Sequence, residues 1–184
     1  LRQDPDIVLI GEIRDEETAD IAIKFSLTGH LVFTTLHAND APATITRMID
    51  IGIKPYLVGS SLSLVMAQRL VRKICKYCIK DYIPTEQEIQ DAGLTPEEAS
   101  KINFKIGAGC VHCDNTGYSG REGIFELLTI NPEIRRIIYE GGNQDLIREA
   151  ALRNGMRTLH DAAIAKMKKG ITTIKEVIKM TVVE

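Results

Sequence analysis

The feature that most constrains this sequence is the arrangement of its cysteines. All four fall in two tight pairs, Cys75-Lys76-Tyr77-Cys78 and Cys110-Val111-His112-Cys113, with 31 residues between the pairs. Two CxxC loops let four thiolates converge on one tetrahedral zinc, each loop supplying two ligands. The intervening stretch exceeds the commonest spacing of about 15–20 residues, and a small folded excursion accommodates the difference. Two other readings compete. A redox CxxC needs only one pair beside a βαβ pattern, and a pair of disulfides needs an oxidising compartment. The spacing favours zinc, and a structural site over a catalytic one, because four cysteines leave no open position for water. His112, inside the second loop, is expected to be a bystander.

Length and charge bound the rest. At roughly 150 residues per domain, the 184 residues suggest one domain, or one with an appendage. With 44% apolar and 26% charged residues the chain can bury a sizeable core, so pervasive disorder is not expected. Its 23 basic and 25 acidic side chains leave a net charge of −2, which argues against a strongly basic nucleic-acid binder. No apolar run approaches the length needed to span a membrane. The polar opening Leu1-Arg2-Gln3-Asp4-Pro5-Asp6 resembles no signal peptide, and a chain that starts at leucine is expected to be a piece of something longer.

Along the chain, Ile7-Val8-Leu9-Ile10 reads as a short strand buried on both faces. A helix is predicted from Asp15 to Thr28, stopped by Gly29, and a second strand from Leu31 to Leu36. This order is a βαβ unit, so the two strands should be parallel. Asp40 can cap a further helix, with Pro42 in its first turn. A long apolar helix is predicted over 55–71, ending in the basic run Arg69, Arg72, Lys73, Lys76. Within the zinc region, Thr85 and Thr95 each look like helix starts. Residues 118–128 suit a short hairpin or a strand with a turn. From Asn131 onward helices are predicted at about 131–139, 144–154, 158–169 and 173–180, read together as a small helical bundle.

Ligands of parallel α/β sheets bind outside the carboxyl ends of the strands. Glu12 follows the first strand and His37 the second, so both belong on that edge. An apolar run ending in Gly-Glu matches the acidic end of a Walker-B-like strand, where the acid holds Mg²⁺ directly or through water. By itself, the pattern also fits an ordinary strand-end carboxylate. His30 sits seven residues before His37. Across an extended strand that is on the order of 20 Å, so the two cannot share one phosphate or metal, and His30 equally suits a cap at the helix end. No Gly-Lys dipeptide occurs in the chain, so it lacks the GxxxxGK[ST] cradle of a P-loop NTPase.

Taken together, these residues resemble a family. Leu1 to Asp6, Gly11-Glu12-Ile13-Arg14-Asp15 and Glu17-Thr18-Ala19 look like the Walker-B region of the secretion ATPase superfamily. Thr28-Gly29-His30-Leu31-Val32 and Thr35-Leu36-His37-Ala38-Asn39-Asp40 look like its His box. Gln68-Arg69-Leu70-Val71-Arg72, the CxxC pairs and Thr116-Gly117-Tyr118-Ser119-Gly120-Arg121 are similar to the tetracysteine branch, which holds the type II secretion and type IV pilus assembly ATPases. The resemblance covers essentially the whole chain.

It implies an α/β fold. Residues 1–74 would be the C-terminal half of a RecA-like P-loop ATPase core, 75–128 a zinc subdomain and 129–184 a helical subdomain. It further implies a homo-hexameric ATP hydrolase, cytoplasmic and peripherally associated with the inner membrane. Its partners would be an inner-membrane platform protein and membrane-anchored assembly proteins of a pilus or secretion machine. ATP and Mg²⁺ would be served by Glu12 and His37, with Arg14, His30 and Arg47 as further nucleotide-side groups. Zn²⁺ would be held by Cys75, Cys78, Cys110 and Cys113. Lacking the phosphate cradle, the 184 residues alone are expected to be inactive. The basic run Arg69, Arg72, Lys73, Lys76, Lys80 suits a solvated or partner-facing patch. Nucleic acid is not expected, given few exposed aromatics to stack bases. The alternative is a stand-alone zinc module for protein or nucleic-acid interaction, which would have no reason to carry Glu12 and His37 on one edge.

Overall fold

The computed structural model describes residues 5–181. Leu1-Arg2-Gln3-Asp4, the start of the Walker-B-like stretch, lies outside the described residues. The chain divides into two compact units. One comprises Leu1–Ala67 and Leu127–Met156, the other Gln68–Glu126 and Arg157–Glu184.

The first unit opens with strand β1 (Ile7–Leu9), helix α1 (Glu16–Leu27) and strand β2 (Leu31–Phe33). The strands pair in parallel, Ile7 with Leu31, Val8 with Val32 and Leu9 with Phe33, as the βαβ order requires. Asp15 caps α1 by accepting from Thr18 N at 2.8 Å, and Glu16 and Glu17 complement the helix dipole. The expectation of a β1 buried on both faces is corrected. Ile7 is 60% and Leu9 78% exposed, as are Leu31 and Phe33 beside them to a lesser degree. Among the described residues this sheet has two strands; Val32 and Ile10 pack on the core, while the other face stays open.

Helices α2 (Ala41–Asp50) and α3 (Pro55–Ser61) follow, then strand β3 (Leu64–Ile74). The long helix expected over 55–71 therefore stops ten residues early, and residues 64–71 are strand instead. At the break Leu62 turns extended, and the Ser61 carbonyl accepts from Ser26 Oγ at 3.0 Å. From there burial alternates as far as Val71, with Val65 and Val71 inside and Leu64, Met66 and Leu70 outside, and Ile74 at the strand's end is buried as well. The partner of β3 is strand β6 (Tyr118–Thr129), one continuous strand. Bonds from Ile130 N to Ser63 O and from Cys75 N to Gly117 O at opposite ends make the pair antiparallel. The first unit is completed by α6 (Pro132–Tyr139) and α7 (Gln144–Arg153). They pack with α2 and α3 around a core that includes Ile45, Val58, Ile134, Ile138 and Ile147.

The second unit holds β4 (Ile79–Asp81) paired antiparallel with β5 (Lys105–Gly107). Between them, α4 (Glu86–Asp91) and α5 (Pro96–Ser100) start at full capping boxes, Thr85 with Glu88 and Thr95 with Glu98. Helices α8 (Leu159–Lys168) and α9 (Ile174–Thr181) also belong here. The helices expected as one bundle over 129–184 are thus shared between the two units. The apolar faces of α6 and α7 meet α2 and α3, and α9 meets α4 and α8.

Glu176 on α9 anchors this packing. Its buried carboxylate accepts from Arg72 N at 2.9 Å, Nε at 3.1 Å and Nη2 at 2.9 Å, and from Lys179 Nζ at 2.9 Å. Arg72 also lies 3.9 Å over the Tyr118 ring. Arg72→Ala should destabilise the fold by about 3 kcal/mol in denaturant unfolding, because it strips the main partner from a buried charge. An unchanged midpoint would sink this account. Burial works to raise the Glu176 pKa, yet the Arg72 bonds hold it below the ordinary carboxylate value. The pair's contribution is therefore present above about pH 4.3 and lost as pH falls through the lower folded value. The alanine variant should lose less stability on acidification.

Candidate functional site

Beyond β1 and β2 the backbone stays paired. Ile10 N donates to Phe33 O and Ile13 N to Thr35 O, both at 2.9 Å. Thr35 Oγ1 donates to Gly11 O at 2.7 Å. These bonds carry the parallel register past the strand ends and bring Glu12 and His37 together, with His37 Nε2 3.3 Å from Glu12 Oε2. Arg14 Nη2 stands 2.6 Å from Glu12 Oε1. Arg14 foremost, then His37, holds the Glu12 carboxyl below the ordinary carboxylate range, against the cost of partial burial. At neutral pH the edge therefore presents a carboxylate, about one-third exposed, beside a fully accessible imidazole. That arrangement can take a hydrated divalent cation on oxygen and offer a neighbouring donor to an anion.

The other nucleotide-side candidates lie apart. His30 sits past the C-terminal end of α1, at the opposite end of β2. Its Nδ1 is 3.0 Å from Thr28 Oγ1 and 3.1 Å from Phe25 O, with its ring edge-on to Phe25. These contacts are those of a helix-end lock. Arg47 is exposed in the last turn of α2 and makes no ion pair with Glu12 among the described residues. Thr35 stands out in the sequence only as part of the His-box-like stretch; by itself it reads as one more β-branched strand residue.

The four cysteines converge as their spacing predicts. Their sulfurs lie within 4.8 Å of one another. Individual separations are 3.8 Å for Cys75 and Cys110, 3.9 Å for Cys78 and Cys113, and 3.7 Å for Cys110 and Cys113. Sulfurs at about 2.3 Å from a common tetrahedral centre stand about 3.8 Å apart, whereas a disulfide needs about 2.05 Å. The set thus fits a tetrahedral, sulfur-preferring divalent ion. Backbone amides support the sulfurs. Cys110 N and Gly117 N both donate to Cys113 Sγ at 3.3 Å. Burial pushes the Cys113 thiol up, but these two donors bring it down to about 7. Burial pushes Cys110 up to about 12.

Aiming those amides requires an unusual backbone. Asp114 and Asn115 adopt left-handed φ of 47° and 57°, and Gly117 follows at 78°. A Cβ on Gly107 would stand 2.0 Å from Gly117 O, so only glycine permits this approach. At the tips of the loops Tyr77 stacks on His112 with centroids 4.1 Å apart, which leaves His112 outside the ligand set.

The open α/β edge with its carboxylate–histidine pair, joined to a closed tetracysteine cluster, defines a class that the comparisons identify. The family model described as "Type II/IV secretion system protein" matches residues 1–179, and the chain belongs to that family. It is 44% identical to the type IV pilus assembly ATPase PilB of Thermus thermophilus, over 99% of this chain and 20% of that protein. It is 45% identical to the type II secretion system protein HxcR of Pseudomonas aeruginosa, over 98% of this chain and 34% of that protein. The chain therefore spans a fifth to about a third of these relatives' lengths. A crystal structure of the pilus retraction motor PilT with bound ADP matches 98% of this chain and 40% of that one, with a TM-score of 0.65 and 27% identity. The ATPase DotB of Legionella pneumophila, 21% identical with a TM-score of 0.63, covers 98% of this chain and 39% of that chain and shares the fold.

Denatured without reductant, the chain should yield four free thiols to a thiol reagent. Fewer than four would reveal a disulfide that the sulfur separations exclude.

Proposed function

We propose that these residues supply the Mg²⁺-side half of a RecA-like ATPase core, and the zinc element attached to it, in a hexameric motor. The motor would drive pilus assembly or type II secretion from the cytoplasmic face of the inner membrane, acting on a platform protein and membrane-anchored assembly proteins. The observation that carries this reading is the meeting of Glu12 and His37 at 3.3 Å on the carboxyl edge of a parallel strand pair. It is supported by a family match that runs through both residues and by relatives named as pilus assembly ATPases. No helix among the described residues is long and apolar enough to cross a membrane, which accords with peripheral attachment.

In this reading Glu12 would hold Mg²⁺ directly or through a water, and the ion would supply charge neutralisation to the phosphates of ATP. Arg14 keeps Glu12 ionised and oriented. His37 hydrogen-bonds Glu12 or the γ-phosphate, depending on which is within reach. The GxxxxGK[ST] cradle has no counterpart in these 184 residues, and ATP turnover is assigned to the whole protein, not to this stretch alone. Cys75, Cys78, Cys110 and Cys113 hold Zn²⁺ as a structural ion that ties β5, the two loops and the start of β6 together.

In the whole protein, Glu12→Gln should lower ATP turnover by at least about a hundredfold while leaving the assembly size unchanged. Wild-type turnover in that variant would remove Glu12 from the mechanism. Metal analysis of the purified chain should find about one zinc per chain. Serine at any one of the four cysteines should reduce that content and lower the unfolding midpoint. A metal-free protein of wild-type stability would refute the zinc assignment.

A further inference from the structure

Asp40 occupies the junction between the His37 loop and α2, with its side chain only 10% exposed. One carboxylate oxygen, Oδ1, accepts from Ala43 N at 2.7 Å and caps the helix. The other, Oδ2, accepts from Arg148 Nη2 at 2.7 Å and faces Gln144 Nε2 at 3.5 Å. Arg148 lies on α7, 108 positions further along the chain, with 25% of its side chain exposed. Capping does not call for this arginine, since serine, threonine or asparagine caps as well without a counter-charge. Nor does an intact buried ion pair add much stability over a well-packed apolar pair, although stripping one partner from it is costly.

The place of the pair suggests its use. The His37 side chain is 90% exposed and its recorded polar contact is Glu12. With so little packing around it, its position follows from its backbone. On the N-terminal side that backbone is held at Thr35, through Ile13 N and Gly11 O. On the C-terminal side Asp40 is an anchor, its own carbonyl accepting from Thr44 N at 3.2 Å and Thr44 Oγ1 at 2.9 Å. We infer that Arg148 is a positioning residue. Through the buried Asp40 it fixes residues 37–40 and thereby the seat of His37 opposite Glu12. The inference rests on the reading of this edge as the Mg²⁺ side of an ATPase site. It gives α7, remote in sequence from Glu12 and His37, a direct hold on the geometry of the edge.

The test uses the whole protein and compares Arg148→Met, Arg148→Lys, Asp40→Asn and Glu12→Gln in steady-state ATP turnover. Arg148→Met should lower kcat by about tenfold to a hundredfold, as a displaced group near the reacting atoms does. KM for MgATP should stay within about twofold, because this residue contributes no binding contact. Arg148→Lys should recover part of kcat. Amide hydrogen exchange should quicken over residues 37–40 while the rest of the first unit keeps its protection. The Arg148→Met, Asp40→Asn double variant should be no slower than the slower single variant.

Wild-type kcat in Arg148→Met beside an inactive Glu12→Gln would overturn this inference and leave the reading of the edge intact. Wild-type turnover in Glu12→Gln would overturn both. A fall in kcat that tracks a general loss of exchange protection would assign Arg148 a merely structural role and so overturn the inference. If Arg148→Met does not fold, Arg148→Lys decides by the same kcat-against-KM split.

Discussion

Both units of this chain depend on the pairing of β3 with β6. Each strand enters both units, so each serves two cores. Val65 and Leu128 are buried in the first core, and Val71, Ile74 and Ile124 in the second. Val65 and Val71 lie on one face of β3, and Ile124 and Leu128 on one face of β6, since side chains alternate with period two. The continuation of β3 leads directly into Cys75, and the residues just before β6 include Gly117, whose carbonyl accepts from Cys75 N at 3.0 Å. One ladder therefore sets where the first cysteine loop stands and where the second returns.

That same ladder is the part of the fold least legible in the sequence. Leu57, Val58, Ser61, Leu62 and Val65 satisfy helical spacing, and no Gly or Pro interrupts the run from Ser60 to Ile74. Leu64, Met66 and Leu70 are apolar yet about half exposed, which hides the period-two signal that would mark a strand. What decides the conformation is a partner more than forty residues away, and local pattern contains no trace of it. Where structure is encoded locally, the reading succeeds. Asp40 as a cap, Thr85 and Thr95 as helix starts, and the parallel βαβ order all follow from residues within a few positions of one another.

The two candidate sites divide along the same line. The cysteine cluster is built from ligands three residues apart, repeated once, so spacing alone announces it. Its supporting glycines and the left-handed Asp114 and Asn115 are consequences of aiming amides at sulfur. Glu12 and His37 could also be placed, because parallel strands put their carboxyl ends on one edge whatever else the chain does. The residues that hold them there do not announce that role. Thr35 by itself looks like any β-branched strand residue, and Arg148 is one arginine on an amphipathic helix in a different stretch of sequence.

The contrast between the sites has a physical origin. A structural metal site works when closed, so ligands, amides and neighbouring backbone can all be packed tightly around it, down to the contact that excludes a Cβ at Gly107. On the proposed reading the edge would admit and release a nucleotide and so has to remain open, and the exposure of His37 forfeits the packing that ordinarily fixes a side chain. Position then has to be imposed through the backbone. The hydroxyl of Thr35 does so from one side, and a buried Asp40 does so from the other. Asp40 can be buried as a charge only if a cation accompanies it, and α2, on which it sits, offers none in its first turn. The cation comes instead from α7. An open edge of this kind therefore couples the loop it exposes to a helix remote in sequence, as a direct consequence of keeping a polar anchor out of water.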